Sequence, residues 1–366
     1  MKRVKKSISV DKIKVIQNVL KNTKNCSLTC AGRLDGIGAQ CWATISTIIT
    51  AKFLGFKFIH TPFKNIDHND LNVASKKWNN SWENILKIYT LSEEEDKDKN
   101  IKFKKKLLDW DSFFAVDSKR YKLILTSNTC FSVKHSHDLV DLFYDTPEMK
   151  NIIADIRSQL QRAFHSTSIE HPFTKESCSW FDDSRIDVAI HIRKGDVIEW
   201  NITTRITENS YFMNLAKQLN EILKIKNVPY RFHIFSEGTV NKDFPELQRL
   251  RGDELVEYVD QYLDEKDCKY DDNVIAVLKQ KVSPDIEGNI TCDNITCDNI
   301  YFHMHLNGDA RKAFNHLVNA DILVTCKSCF SYVAALYSTC SGLLFTKFWF
   351  PPLSDDWVVL NDDGTF

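Results

Sequence analysis

The sequence predicts an α/β protein of two domains. Its 366 residues are enough for about two domains at roughly 150 residues each. Short apolar runs of strand length alternate with stretches of helical period in both halves. Glycine-rich or charged turns stand where those runs end. A hydrophobic share of 43% and a charged share of 27% place the chain in the globular class.

The first half opens its pattern at Ser27 with a short strand-like piece. The glycine-rich turn Ala31-Gly-Arg-Leu-Asp-Gly-Ile-Gly-Ala39 follows. A helix is expected from Gln40 to Leu54, with Trp42, Ile45, Ile48 and Ile49 near helical spacing and Gly55 at its left-handed end. Phe56–His60 alternates as a strand and stops at Thr61-Pro62, which completes a βαβ unit. Tyr121–Thr126 reads as a further strand. The charged segments Glu93–Lys99 and Lys104–Lys106 read as a solvated loop or helix.

In the second half, Ile186–Ile192, Tyr230–Phe235, Asp321–Thr325 and Gly342–Phe345 have the length and composition of strands. Helical patterns lie near 208–225, 253–264, 309–319 and 330–337, the last with Phe330, Val333, Ala334 and Tyr337 on one face. The tandem Asn289-Ile-Thr-Cys-Asp293 and Asn294-Ile-Thr-Cys-Asp298 reads as a duplicated surface loop.

Charge and cysteine content exclude several classes. Lys and Arg total 48 against 49 Asp and Glu, so there is no global basic field to hold a nucleic acid. Eleven cysteines in irregular spacing do not form the even framework of a small secreted scaffold, and they are expected reduced and buried. Charges interrupt the apolar residues of the basic start, so no signal-peptide core is read there. No apolar window approaches roughly 18 residues, so no membrane span is expected. The expected compartment is the cytosol, where the sequons at Asn201, Asn289 and Asn294 carry no glycan.

Ligands of an open parallel sheet bind beyond the carboxyl ends of its strands. Those ends carry His191, Arg193, Lys194 and Asp196, then Ser236 and Glu237, then Lys327, Ser328, Phe330 and Ser331. An arginine fork and a helix start after Ser328 suit a nucleotide diphosphate. Glu237 suits a base or ribose. Other motifs compete. The first loop is neither a dinucleotide fingerprint nor a P-loop. Cys326-Lys-Ser-Cys329 has redox spacing. Cys292, Cys297, His303 and His305 form an imaginable zinc set, and Asp109-Trp-Asp111 an imaginable manganese pair. None of these accounts for all the strand ends together.

His191-Ile-Arg-Lys-Gly-Asp196 resembles the His-x-Arg-x-x-Asp signature of the fucosyltransferase superfamily (α1,2-, α1,6- and protein O-fucosyltransferases). Ala31–Gln40, with Gly36 and Gly38, is similar to the glycine-rich first loop of the α1,2 enzymes. Phe235-Ser-Glu237 and Ala320–Ala335 resemble two later blocks. The resemblance implies two Rossmann-like domains of GT-B type facing each other across a cleft: a basic extension at 1–26, an acceptor-side domain at 27–180, a nucleotide-sugar domain at 181–346 and a tail at 347–366. It implies an inverting, metal-independent glycosyltransferase that needs no cofactor and transfers fucose from GDP-fucose to a glycan. The alternatives are a transferase of the same fold using another nucleotide sugar and an inactive glycan-binding protein. On this reading Arg193 binds the β-phosphate and His191 orients the loop or touches the donor. Glu237 lies near the guanosine, and Ser328 and Ser331 near the phosphates. The candidate general base is Glu208, then Asp35 and His60. The first loop is longer than the compact family form, and Cys329 stands where serine is common.

Overall fold

The computed structural model describes residues 8–23, 26–32, 34–67, 74–93, 104–126, 128–166, 178, 181, 184–238, 243–244, 248–249, 293–297 and 300–366. The chain divides into two units. One comprises Met1–Ser177, Cys329–Thr339 and Trp349–Trp357; the other comprises Cys178–Ser328, Cys340–Phe348 and Val358–Phe366.

The first unit begins with α1 (Val10–Asn22), started by Ser9, whose Oγ accepts from the Lys12 N–H. Then come β1 (Ser27–Cys30), α2 (Ile37–Leu54), β2 (Lys57–Phe58), α3 (Ser75–Leu86), β3 (Lys104–Leu107), α4 (Trp110–Ala115), α5 (Tyr121–Ile124), β4 (Thr129–Val133), α6 (His137–Phe143) and α7 (Pro147–His165). The strands form a four-stranded parallel sheet in the order β2-β1-β4-β3. α2 is buried almost all round, so its sequence is apolar on every face instead of amphipathic. Gly55 ends it at φ +89° with its N–H on the Ala51 carbonyl. α7 starts on Thr146 and Pro147, with Glu148 in its first turn and Arg162 and His165 in its last.

Two expectations in this unit fail. Tyr121–Thr126 is not a strand but contains the short helix α5: Tyr121 and Leu125 are buried while Leu123 is 77% exposed. That is the i, i+4 period, which so short a run cannot separate from alternation. Lys104–Lys106 lies in a strand, β3, not in a loop or helix. Among the described residues it is the edge strand of its sheet.

The second unit contains β5 (Ile186–His191), α8 (Asp196–Glu199), α9 (Asn209–Ile225), β6 (Tyr230–Ser236), β7 (Gln248–Arg249), β8 (Asp293–Cys297), β9 (Ile300–Leu306), α10 (Ala310–Asn319) and β10 (Ile322–Val324). After β10 the chain enters α11 (Cys329–Tyr337), which clusters with the first unit although the sequence groups it with the second half. It returns for β11 (Gly342–Phe345) and ends with β12 (Trp357–Val359). The eight strands run in the order β12-β11-β10-β5-β6-β9-β8-β7. β11, β10, β5, β6 and β9 are parallel to one another, and β8 is antiparallel to both its neighbours. The repeat expected as a loop therefore supplies a strand at Asp293–Cys297. The expected helix at 253–264 lies outside the described residues.

The faces of this sheet differ. Val188, Ile190, Phe232, Ile234, Phe302 and Met304 join Phe212, Leu215 and Leu219 of α9 in one apolar core. Period-2 alternation puts Asp187, His191, His233, Phe235, His303 and His305 on the opposite face. There Phe181 and His316 of α10 cover the histidines.

Candidate functional site

The connections of the second sheet single out one place along its edge. From β5 the chain passes through α8 and α9 to β6 and on to β9, then crosses back through α10 to β10, on the other side of β5. The loops leaving β5 and β10 therefore part in opposite directions and open a crevice at the carboxyl ends of these two strands. Those loops carry Ile192–Gly195 and Thr325–Ser328.

Gly195 makes the first loop possible. Its φ of +59° is open to glycine at low cost, and a Cβ there would run into the Glu237 carboxylate. The turn sends Arg193 back toward Asp196, whose Oδ2 accepts from Nη2 at 2.6 Å, while Nη1 donates to Ser328 Oγ at 3.2 Å. The Arg193 side chain is 23% exposed. Its Nε–H is sealed from solvent, with no hydrogen-bond partner among the described residues. Burial opposes the guanidinium charge, but Asp196, Cys326 and Glu237 together hold the pKa above its ordinary value. Lys194 points the other way, with Nζ 5.4 Å from the centre of the Phe244 ring.

His191 lies 3.1 Å from Cys326 Sγ through Nδ1. Burial, and then the Arg193 charge, push its pKa down to about 3. At neutral pH it is an uncharged imidazole, able to donate from one ring nitrogen and accept at the other. Ser236 Oγ donates to the Glu237 carbonyl.

Of the residues expected from the sequence, His191, Arg193, Asp196, Glu208, Ser236, Glu237, Lys327 and Ser328 belong to the second unit. Arg193 joins Asp196 to Ser328, and Glu237 lies against Gly195. Glu208 and Lys327 line a cavity together with Thr207 and Tyr211. Asp35, Gly36, Gly38, Phe330 and Ser331 belong to the first unit. There Asp35 Oδ1 accepts from the Gly36 N–H, and Gly38 meets the Phe330 backbone so closely that a Cβ would not fit. Phe330 sets its ring edge-on to Trp82, and Ser331 is buried. His60 is bonded to Glu83 Oε2 at 2.9 Å.

Some residues of the competing motifs are held in structural contacts. Asp109 Oδ2 accepts from both N–H and Oγ–H of Ser112 and so starts α4. His305 Nε2 is 3.0 Å from His233 Nδ1, whose Nε2 is 3.1 Å from Asp187 Oδ1. Among the described residues no three His, Cys, Asp or Glu side chains form a metal-binding group, and no helix is long and apolar enough to cross a membrane. Cys292 lies outside the described residues. Sequence reasoning missed the pairing of Cys326 with His191 and the cavity at Thr207. The parity of β5 puts His191 on the histidine face, which was the available signal for the first; the second had none, because its far wall comes from residues 360–363.

No protein-family model and no curated protein matches the chain. A solved structure of an arginine-to-lysine variant of Arabidopsis thaliana FUT1 in complex with GDP is similar to it at a TM-score of 0.38 and 11% identity, covering 96% of this chain and 76% of that one.

Proposed function

We propose that the chain is a glycosyltransferase that binds the diphosphate of a nucleotide sugar at the crevice between the ends of β5 and β10, with GDP-fucose as donor and a glycan as acceptor. One observation carries the reading: Arg193 is fixed to Ser328 across that crevice with its side chain partly exposed. Breaking the bond from sugar to diphosphate leaves positive charge on the sugar and negative charge on the departing phosphate. A guanidinium already held in place by Asp196 stabilises that negative charge without reorganising at the moment of reaction. Ser328 Oγ adds a hydroxyl beside the guanidinium. Neutral His191 contributes a hydrogen bond but no charge. Glu208 is the proposed base for the acceptor hydroxyl in this unit, with Asp35 and His60 in the first unit as the alternatives.

The test is a melting series with GDP, UDP, ADP and NAD in the presence of EDTA, followed by hydrolysis of a panel of nucleotide sugars. GDP should raise the melting temperature most, and GDP-fucose should be consumed fastest. A UDP preference, or activity that appears only with added Mn²⁺, contradicts the proposal.

A further inference from the structure

Of the redox-spaced Cys326 and Cys329, the proposed function uses neither thiol. Cys326 is buried just beyond the end of β10. Its sulfur lies 3.1 Å from Nδ1 of His191, the last residue of β5. The two strands are paired, with Val324 opposite Ile190, so this contact ties them together where the crevice begins. The chain is held on each side of it. Ile192 N–H donates to the Phe235 carbonyl at 3.0 Å, which anchors the backbone just after His191. Thr346 donates its N–H to Thr325 Oγ1 and its Oγ1–H to the Thr325 carbonyl, which anchors the backbone just before Cys326. The Cys326 carbonyl accepts from the Ser328 N–H at 2.7 Å. Cys326 is therefore bonded to His191 through its side chain and to the partner of Arg193 through its backbone.

The surrounding charge decides which atom of the pair carries the proton. A neutral imidazole has one bare nitrogen and one N–H, and a thiol can either donate or accept weakly. The Arg193 guanidinium is close enough to Cys326 for the two to interact electrostatically. A cation beside a thiol favours negative charge on the sulfur, which makes S–H a better donor. Complete transfer of that proton would create an imidazolium, which burial and the same guanidinium oppose. The arrangement that satisfies both is S–H donating to a bare Nδ1.

We infer that Cys326 is a positioning residue: its thiol donates to His191 Nδ1, holds the imidazole in the tautomer protonated on Nε2, and locks the loop of Arg193 to the loop of Ser328. In this tautomer Nε2 is a hydrogen-bond donor, which is compatible with an anion nearby, whereas the opposite tautomer would carry a lone pair there. The assignment of the tautomer stands on the geometry of the pair. Only its effect on GDP rests on the diphosphate reading.

The experiment is NMR of the full chain with ¹⁵N-labelled histidine, in which couplings to the ring protons separate a bare ring nitrogen from a protonated one, followed by calorimetric titration of GDP into the same samples. It compares the parent with Cys326→Ser, which keeps a donor, and Cys326→Ala, which removes it. His191→Gln identifies the signal among the eleven histidines. The parent and Cys326→Ser should show a bare Nδ1 and a protonated Nε2. In Cys326→Ala the tautomers should mix, and GDP should bind roughly threefold to tenfold more weakly, as for the loss of one neutral hydrogen bond; Cys326→Ser should restore it. A proton on Nδ1 of the parent, in the other tautomer or in the cation, overturns the inference without recourse to a variant. So does a His191 signal that is the same in Cys326→Ala, the result expected of a thiol that only fills space. Equal GDP affinity in all three proteins despite an altered tautomer overturns the positioning role. A parent that does not bind GDP overturns the diphosphate reading and the positioning role with it, while the spectrum still decides the tautomer, so the two readings can fail separately.

Discussion

The histidine-lined face of the second sheet predicts a steep loss of stability in mild acid. His233 and His316 are almost wholly buried. Burial holds His233 well below its ordinary pKa and pushes His316 down to about 4. Both stay neutral in the fold at pH 5, whereas in the unfolded chain an imidazole with a pKa of about 6.5 is almost fully protonated. The unfolded state then binds more protons, so stability falls as pH falls below 6.5. Between pH 7 and pH 5 each such histidine removes about 2 kcal/mol, or about 4 kcal/mol for the pair. His191 and His303 are also depressed, by burial first, and act in the same direction. Against a typical domain stability of about 5–15 kcal/mol, that is a large share. The carboxylates with lowered pKa, such as Asp309, respond only below their ordinary value near 3.8 and leave this window alone. Urea unfolding followed by tryptophan fluorescence at pH 7, 6 and 5 measures the slope. His316→Phe, set among the rings of Phe181 and Phe235, should reduce the loss over this window by about 2 kcal/mol. Equal stability at pH 7 and pH 5, or a slope unchanged in His316→Phe, would refute the reasoning.

Gly195→Ala should cost about 1–3 kcal/mol in backbone strain alone. By pushing Glu237 aside and displacing the Arg193 loop, it should also weaken GDP binding; melting and titration of the same sample check both. Gly38→Ala places a Cβ on the Phe330 backbone, which cannot retreat as a flexible side chain can, so a lower melting temperature is expected. Asp109→Ala removes the cap of α4 and should cost about 1 kcal/mol. It should do so without altering nucleotide binding, and chemical denaturation alongside a GDP titration would show this.

Much of the fold was legible because burial leaves local marks. The strand over Ile186–His191 showed as a nearly continuous apolar run, as expected of a strand covered on both faces. α9 and α10 appeared within a residue of their bounds because each is amphipathic and packs one stripe. α5 was not legible, since its four residues are set by the burial of Tyr121 against Phe113, a tertiary effect. The strand Ile300–Leu306 was hidden for a chemical reason: its histidines look like metal ligands until the register places them beside His233 and Phe235. Around the proposed site, Arg193, Asp196 and Ser328 were legible as strand-end chemistry, and the fold brings these three into contact. Thr207 was not, because nothing in its own neighbourhood announces a wall completed by residues 360–363.

The most direct test of the account is calorimetric titration of GDP into the parent chain, Arg193→Ala and Arg193→Lys in EDTA. Removing a fixed, charge-bearing donor to phosphate should cost about 1.5–3 kcal/mol, or roughly tenfold to a hundredfold in affinity. Arg193→Lys should restore only part of it, because a point charge cannot span the diphosphate oxygens and Ser328 at once. Affinity for GDP that is the same in all three proteins, each melting as the parent does, would contradict the placement of the diphosphate at Arg193.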